Sequence, residues 1–214
     1  MYRERLTITL EADLLSAIDA LIDKQLLRNR SQTIEYLLKE GMGLHELQQA
    51  FLFFNQQLDA KQLEHAVNFC VNNGISELFL GIPAGQTTLL HDAESVIRQQ
   101  HPSLNLIHVP TDFGTAGALV LQRARLVHPF LLLTLEPTLH VPSSILPAYS
   151  FHRQHHAPLT RLLKQDSENC FRPSGIEIAS PELVSAIPAG IASLSADVFP
   201  ALAKEGKVRL YVTA

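Results

Sequence analysis

From Leu58 onward the chain alternates short apolar runs with stretches of helical period, and this alternation restricts it to few architectures. Leu63, Ala66, Val67, Cys70 and Val71 share one face of a helix that stops at Asn73-Gly74. Strands are predicted over 77–82, 104–109, 130–135, 175–179 and 208–213. Helices are predicted over 88–99, 115–127 and 143–153, with another opened by Ser180-Pro181. Strands separated by helices pair in parallel through crossovers that cover both faces of a sheet. The expectation is an α/β, Rossmann-like domain over 58–214 with a mainly parallel sheet. Its densest apolar run, Phe130-Leu131-Leu132-Leu133, is the size of a buried strand and far short of a membrane span.

The first 44 residues follow a different grammar. Residues 5–10, Arg-Leu-Thr-Ile-Thr-Leu, alternate with period two, as a half-buried strand does. Leu14, Ile18, Leu21, Ile22 and Leu26 then form a helical stripe, interrupted by Arg28-Asn29-Arg30-Ser31. Asn29 or Ser31 can cap a second helix, which carries Ile34, Leu37, Leu38 and Met42 on one face and ends at Gly41 to Gly43. One strand and two helices make too small a core to fold alone, and a lone strand leaves its edge unpaired. A second copy cures both defects, so a homodimer or higher oligomer is expected. Residues 45–57 are a linker or the first strand of the second domain; Ala50 to Phe54 reads equally as strand or helix.

Charge narrows the partners. The net charge is −4, and residues 1–44 hold six basic against seven acidic side chains, so neither part is polybasic. Four of the six cations nonetheless fall at two places, the strand and the turn near Asn29. Cys70 and Cys170 have no metal spacing, no metal site is expected, and the cysteine usage fits a reducing cytoplasm. The opening Tyr2-Arg3-Glu4-Arg5 is not a signal peptide, and no membrane partner is expected.

The segment from Arg3 to Gly43 resembles the ribbon-helix-helix DNA-binding family of CopG/Arc/MetJ type, through "RLTITL", an amphipathic helix and "RNRSQTIEYLLKEG". The resemblance implies an obligate β-α-α dimer whose paired strands enter the major groove of a double-stranded DNA operator. Arg5, Thr7 and Thr9 would then read base edges, with Arg3 beside them. Asn29, Arg30 and Ser31, flanked by Arg28, would hold phosphate at the second helix's start.

Residues 58–214 resemble the sugar-1-phosphate nucleotidyltransferase family. "LEHAVNFCVNNGISELFLGI", "VPTDFGTAGALVL", "HPFLLLTLEP" and "GIEIASPELVSAIPAG" with "SLSADVFPALAKEGKVRLYV" follow its segments in order. The resemblance implies a nucleotide or nucleotide-sugar ligand near Gly114, Thr115 and Ala116, with Glu136 where the family has a metal-binding Asp. Three departures weigh against catalysis. Asn55 to Ala60 contains no Gly-rich loop, Arg or Lys. Residues 162–172 are too short for the family's Glu-Lys-Pro segment, and the sequence ends before its closing element and second metal ligand. Charge neutralisation carries most of phosphoryl-transfer catalysis, so no catalytic residue and no cofactor is expected.

Two smaller patterns carry little. Residues 81–87 have Gln86 where a P-loop needs its Lys. His152 and His156 share a helix face, but no Glu or Cys completes a zinc set, and a solvated face is expected. Taken together, the expected protein is a cytoplasmic, nucleoid-associated transcriptional regulator whose degenerate nucleotidyltransferase-like domain, not an enzyme, senses a small-molecule effector or mediates assembly. The alternatives are an active sugar-1-phosphate nucleotidyltransferase that also binds DNA, and an antitoxin-type regulator.

Overall fold

The computed structural model describes residues 7–22, 28–41, 47–54, 59–136, 139–166, 168–188, 190 and 193–213. Its contacts divide the chain into two units, Met1–His45 and Glu46–Ala214.

In the first unit, helix α2 (Arg30–Gly41) forms over its expected stripe, while helix α1 (Ala12–Ala20) covers only the start of the first, Leu21 and Ile22 lying past its end and Leu26 outside the described residues. The Asn29 Oδ1 accepts the N–H of Gln32, capping α2, and the Asn29 carbonyl accepts from Thr33 Oγ1. Arg30 and Asp19 form two charge-assisted bonds of 2.7 and 2.6 Å, tying the start of α2 to the end of α1. Residues 7–10 form no strand. The expected strand over 5–10 is corrected to that extent. A strand is defined by a neighbour's backbone, and a single chain supplies none here. Residues 1–6, with Arg3 and Arg5, lie outside the described residues.

The second unit is a seven-stranded sheet in the order β3-β2-β1-β4-β6-β5-β7. Strands β1 (Gln49–Phe54), β2 (Glu77–Ile82), β3 (Asn105–Pro110) and β4 (Phe130–Leu135) pair in parallel. Between them run α3 (Ala60–Asn72), α4 (Thr87–Gln100) and α5 (Gly114–Leu121). The ambiguous segment before Asn55 is thus a strand, and a central one. Its alternate side chains serve two cores. Leu52, Leu78, Leu80 and Leu133 pack with α3, α4 and α6 (Leu146–His155). Phe51, Phe79 and Phe130 pack with α5, α7 (Pro181–Ser185) and α8 (Phe199–Lys204). The Phe51 and Phe79 rings stack at 4.4 Å between centroids.

The remaining strands depart from the sequence reading. β5 (Leu159–Gln165) is a strand not expected at all, and β6 (Phe171–Ala179) begins four residues before the strand expected at 175–179. β6 runs antiparallel to both β4 and β5, while β5 pairs in parallel with β7 (Val208–Val212). Between Arg161 and Leu163 the register slips, because β6 inserts extra residues including Gly175 at φ 83°. The helix expected over 115–127 ends at Leu121 and continues in turns. The helix expected over 143–153 starts at Leu146, where Pro147 occupies the first turn and needs no N–H partner. A turn of π-helix (Leu194–Val198) leads into α8. Among the described residues no helix is long and apolar enough to cross a membrane.

Candidate active site

After β1 the chain builds β2 and β3 on one side and returns to lay β4 on the other. The carboxyl ends of β1 and β4 therefore flank a topological switch point, where open α/β sheets leave a crevice. A cleft of about 690 Å³ opens there. Phe53 and Phe54 of β1, Thr134 of β4 and Glu136 just beyond it form one side. The β5–β6 hairpin forms the other, with Arg161, Lys164, Asp166, Arg172 and Glu177. Ser193, Leu194 and Phe199 close it.

Each polar group has a local cause for its position. The carbonyl of Glu136 accepts from Gln62 Nε2 and from the N–H of Leu139, which fixes the residue beyond β4. Arg161 and Glu177 face each other in register, and their Nε–Oε1 distance is 3.1 Å. The guanidinium also lies 5.0 Å from the Phe199 ring centroid, a cation–π contact that restricts it further. Burial pushes the Glu177 carboxyl up to about 7; Arg161 opposes the rise and the charge of Glu136 adds to it. At the hairpin turn, the Asp166 carboxylate accepts the N–H groups of Cys170 and Glu168 and the Nε of Arg172. The Cys170 N–H, then Arg172, then the Glu168 N–H, hold its pKa below the usual range. Gly175 admits no side chain: a Cβ would lie 3.2 Å from the Thr134 carbonyl oxygen, at a φ that disfavours L residues.

Of the expected ligand residues, Thr115 and Glu136 both line the cleft, and Thr115 Oγ1 accepts the N–H of Leu194. Gly114 opens α5 at φ 77°, and Ala116 is fully buried in the core beneath. In the other unit Thr7, Thr9, Arg28, Asn29, Arg30 and Ser31 are exposed. His152 is not on a solvated face. It is buried, with Nδ1 2.8 Å from Thr160 Oγ1 and Nε2 2.8 Å from Ser180 Oγ, and burial lowers its pKa to about 4. Tyr149 and Ala148 on the same helix are buried with it, so α6 turns this face inward.

The sequence reading missed Arg161, Lys164, Arg172 and Glu177. The signal available was Asp166-Ser167-Glu168-Asn169, a cluster of turn-forming residues between two short runs, which marks a hairpin. Among the described residues only Asp166, Glu168 and Cys170 cluster as metal ligands do. The Asp166 bonds already described make that cluster a capped turn. The cleft lining also carries the carboxylates of Glu136, Asp166 and Glu177, hard oxygen donors of the kind magnesium takes.

No protein-family profile matches the chain, and no curated protein matches it in sequence. Solved structures do match. A candidate glucose-1-phosphate thymidylyltransferase from Bacillus anthracis, in complex with a sucrose, superposes with TM-score 0.62 and 12% identity, over 78% of this chain and 87% of that one. The inositol-1-phosphate CTP transferase from T. maritima superposes with TM-score 0.56 and 11% identity, over 78% and 86%. HddC from Yersinia pseudotuberculosis gives 0.55 and 11%, over 78% and 91%. The α/β unit thus has the nucleotidyltransferase fold.

These superpositions overturn the expectation of a DNA-binding transcriptional regulator with an inactive appended domain, and with it the expectation of a non-enzyme. The fold shared with transferases occupies most of the chain, and nothing among the described residues shows a degenerate cleft. The physical error lay in where cations were counted. The expectation of no catalysis rested on the loop after β1, of which residues 55–58 lie outside the described residues, on residues 162–172 being too short for a Glu-Lys-Pro segment, and on the missing closing element. It overlooked the three cations that β5 and β6 bring to the same cleft.

Proposed function

We propose that this protein is a nucleotidyltransferase that joins a nucleoside triphosphate to a phosphorylated sugar or polyol. The observation that carries the reading is the composition of the switch-point cleft: Glu136 on one wall, and Arg161, Lys164 and Arg172 on the other. Nucleotidyl transfer brings a phosphomonoester against a triphosphate, so two anions must be held together while charge develops at the α-phosphorus. Preorganised cations serve that need, and removal of one such contact typically costs on the order of 10²–10³ in rate. The neighbours whose names include glucose-1-phosphate and inositol-1-phosphate supply the substrate class.

The test is pyrophosphate release by the purified chain with Mg²⁺, each of the common nucleoside triphosphates, and glucose 1-phosphate or inositol 1-phosphate. Turnover that disappears in Glu136→Ala supports the reading. Absence of pyrophosphate with every pair overturns it.

For the first unit we infer a ribbon-helix-helix arrangement completed by a second copy. Supporting it are two helices joined through the capped Asn29 turn, and apolar Ile8, Leu14, Leu21, Leu37 and Leu38, all exposed in the single chain. In that arrangement Arg3, Arg5, Thr7 and Thr9 lie on the paired ribbon, and Arg28, Asn29, Arg30 and Ser31 at the α2 start, as a duplex-contacting surface of the enzyme. Sedimentation of residues 1–45 tests it: a folded monomer would exclude the pairing.

A further inference from the structure

We propose that the outer edge of β7 pairs with β7 of a second copy of this chain, antiparallel and centred on Leu210, so that two seven-stranded sheets become one.

Strand β7 ends the strand order, and among the described residues no strand lies beyond it. Its inner side is set by the pairing of Val212 with Leu163 and by the Thr213 N–H, which donates to the Leu163 carbonyl at 2.8 Å. Backbone N–H and C=O groups along a strand point alternately to its two sides. Those of Arg209, Tyr211 and Thr213 therefore meet β5, and those of Val208, Leu210 and Val212 point outward.

An edge that stays in water is usually guarded by charge, proline or a bulge. The opposite edge of this sheet follows that rule, because β3 ends on Pro110 and exposes His108. β7 contains no proline and pairs with β5 without a register slip. Its one cation, Arg209, turns back along the chain, with Nη1 donating to the Gly206 carbonyl at 2.8 Å. Leu210 is left 59% exposed and Val212 46%. The strand is thus apolar, regular and unguarded.

A second copy fits this edge because its residue order matches itself in reverse. A two-fold axis at Leu210 sets that residue against its own copy, Val208 against Val212, and Arg209 against Tyr211. Apolar groups meet apolar groups, the cation meets an aromatic ring, and no like charges face each other. The Tyr211 ring is already positioned, 5.4 Å from that of Phe151 on α6. Each outward N–H finds a carbonyl on the copy. Arg161 is the register partner of Leu210 on β5, so the pairing also braces the strand that carries the arginine of the cleft.

Amide exchange and cross-linking of the full chain test this. The N–H groups of Val208, Leu210 and Val212 should exchange slower by on the order of tenfold or more in concentrated than in dilute protein. Leu210→Lys sets two ammonium groups face to face and should abolish that protection, while thermal unfolding reports whether the variant is folded. In a Cys170→Ser background a short bis-maleimide should join two copies of Leu210→Cys, whose Cα atoms lie about 5.5 Å apart in a bonded antiparallel pair. It should not join Val208→Cys, whose two copies lie about 14 Å apart along the strands. Outward N–H groups that exchange like exposed loop amides at every concentration overturn the proposal, and a dimer held through the first unit alone would give that result. Cross-linking of Val208→Cys as efficient as that of Leu210→Cys overturns it as well.

Discussion

Strands β1, β2 and β4 bury apolar side chains on both faces, whereas β5 and β6 place Arg161, Lys164, Arg172 and Glu177 toward one cleft. The first group is rigid because helices cover it on both sides, and little besides size and shape distinguishes its residues. The second is a twisted hairpin with a register slip, next to a parallel edge strand, β7. Shape comes from one half of the sheet and charge from the other. Loss of a parallel-strand side chain should therefore cost stability first, and loss of a hairpin charge should alter binding and pH response first.

The largest expected effect is in the parallel half. Phe51 is fully buried between Phe79 and Phe130, and Phe51→Ala should remove about 3–5 kcal/mol of unfolding free energy in a denaturant titration. A loss no larger than that of a surface substitution would break the contrast.

The hairpin should reveal itself through pH. His152, lowered to about 4, favours the fold when neutral, so its contribution is present above about pH 6.5 and lost as pH falls toward 4. Glu177, raised to about 7, has the opposite sign: its contribution is present below about pH 4.5 and lost as pH rises through 7. The two slopes oppose each other in between, and wild-type stability should be nearly flat from about pH 4.5 to 6.5. In Glu177→Gln the histidine acts unopposed, and acidification across that window should cost up to about 3 kcal/mol. Thermal unfolding across the window reads this directly, and a flat profile in the variant would contradict the assignment.

The smallest effect is at a helix end. Asp59 accepts the N–H groups of Lys61 and Gln62 at the start of α3, and Asp59→Ala should cost about 1 kcal/mol without altering ligand binding. A change in phosphate affinity in this variant would place α3 in the cleft chemistry.

The same division explains what could be read from residue order. Strands β2, β3 and β4 were legible because apolar runs such as Phe130 to Leu133 and helical stripes such as Leu63 to Val71 are local signals, whereas the Ala50 to Phe54 run of β1 fits either period. Glu136 was legible as a carboxylate after a strand. Arg161 and Glu177 were not, because their meaning depends on a cross-strand register 16 residues apart, and the slip before Leu163 breaks the alternation that would announce β5. His152 read as solvated because its partners, Thr160 and Ser180, lie on other elements. Helices α1 and α2 were legible from their stripes, while the strand expected before them is not formed over the described residues 7–10.

In the proposed reaction the charge for phosphoryl chemistry comes from the β5–β6 hairpin rather than from the loop after β1. Pyrophosphate release measured side by side for the wild type, Lys164→Ala/Arg172→Ala and Lys61→Ala tests it, Lys61 being the first cation after β1. With the charge on the hairpin, release falls on the order of 10²–10³ in the hairpin variant and changes little in Lys61→Ala. Unchanged release in the hairpin variant, or a collapse confined to Lys61→Ala, would contradict it.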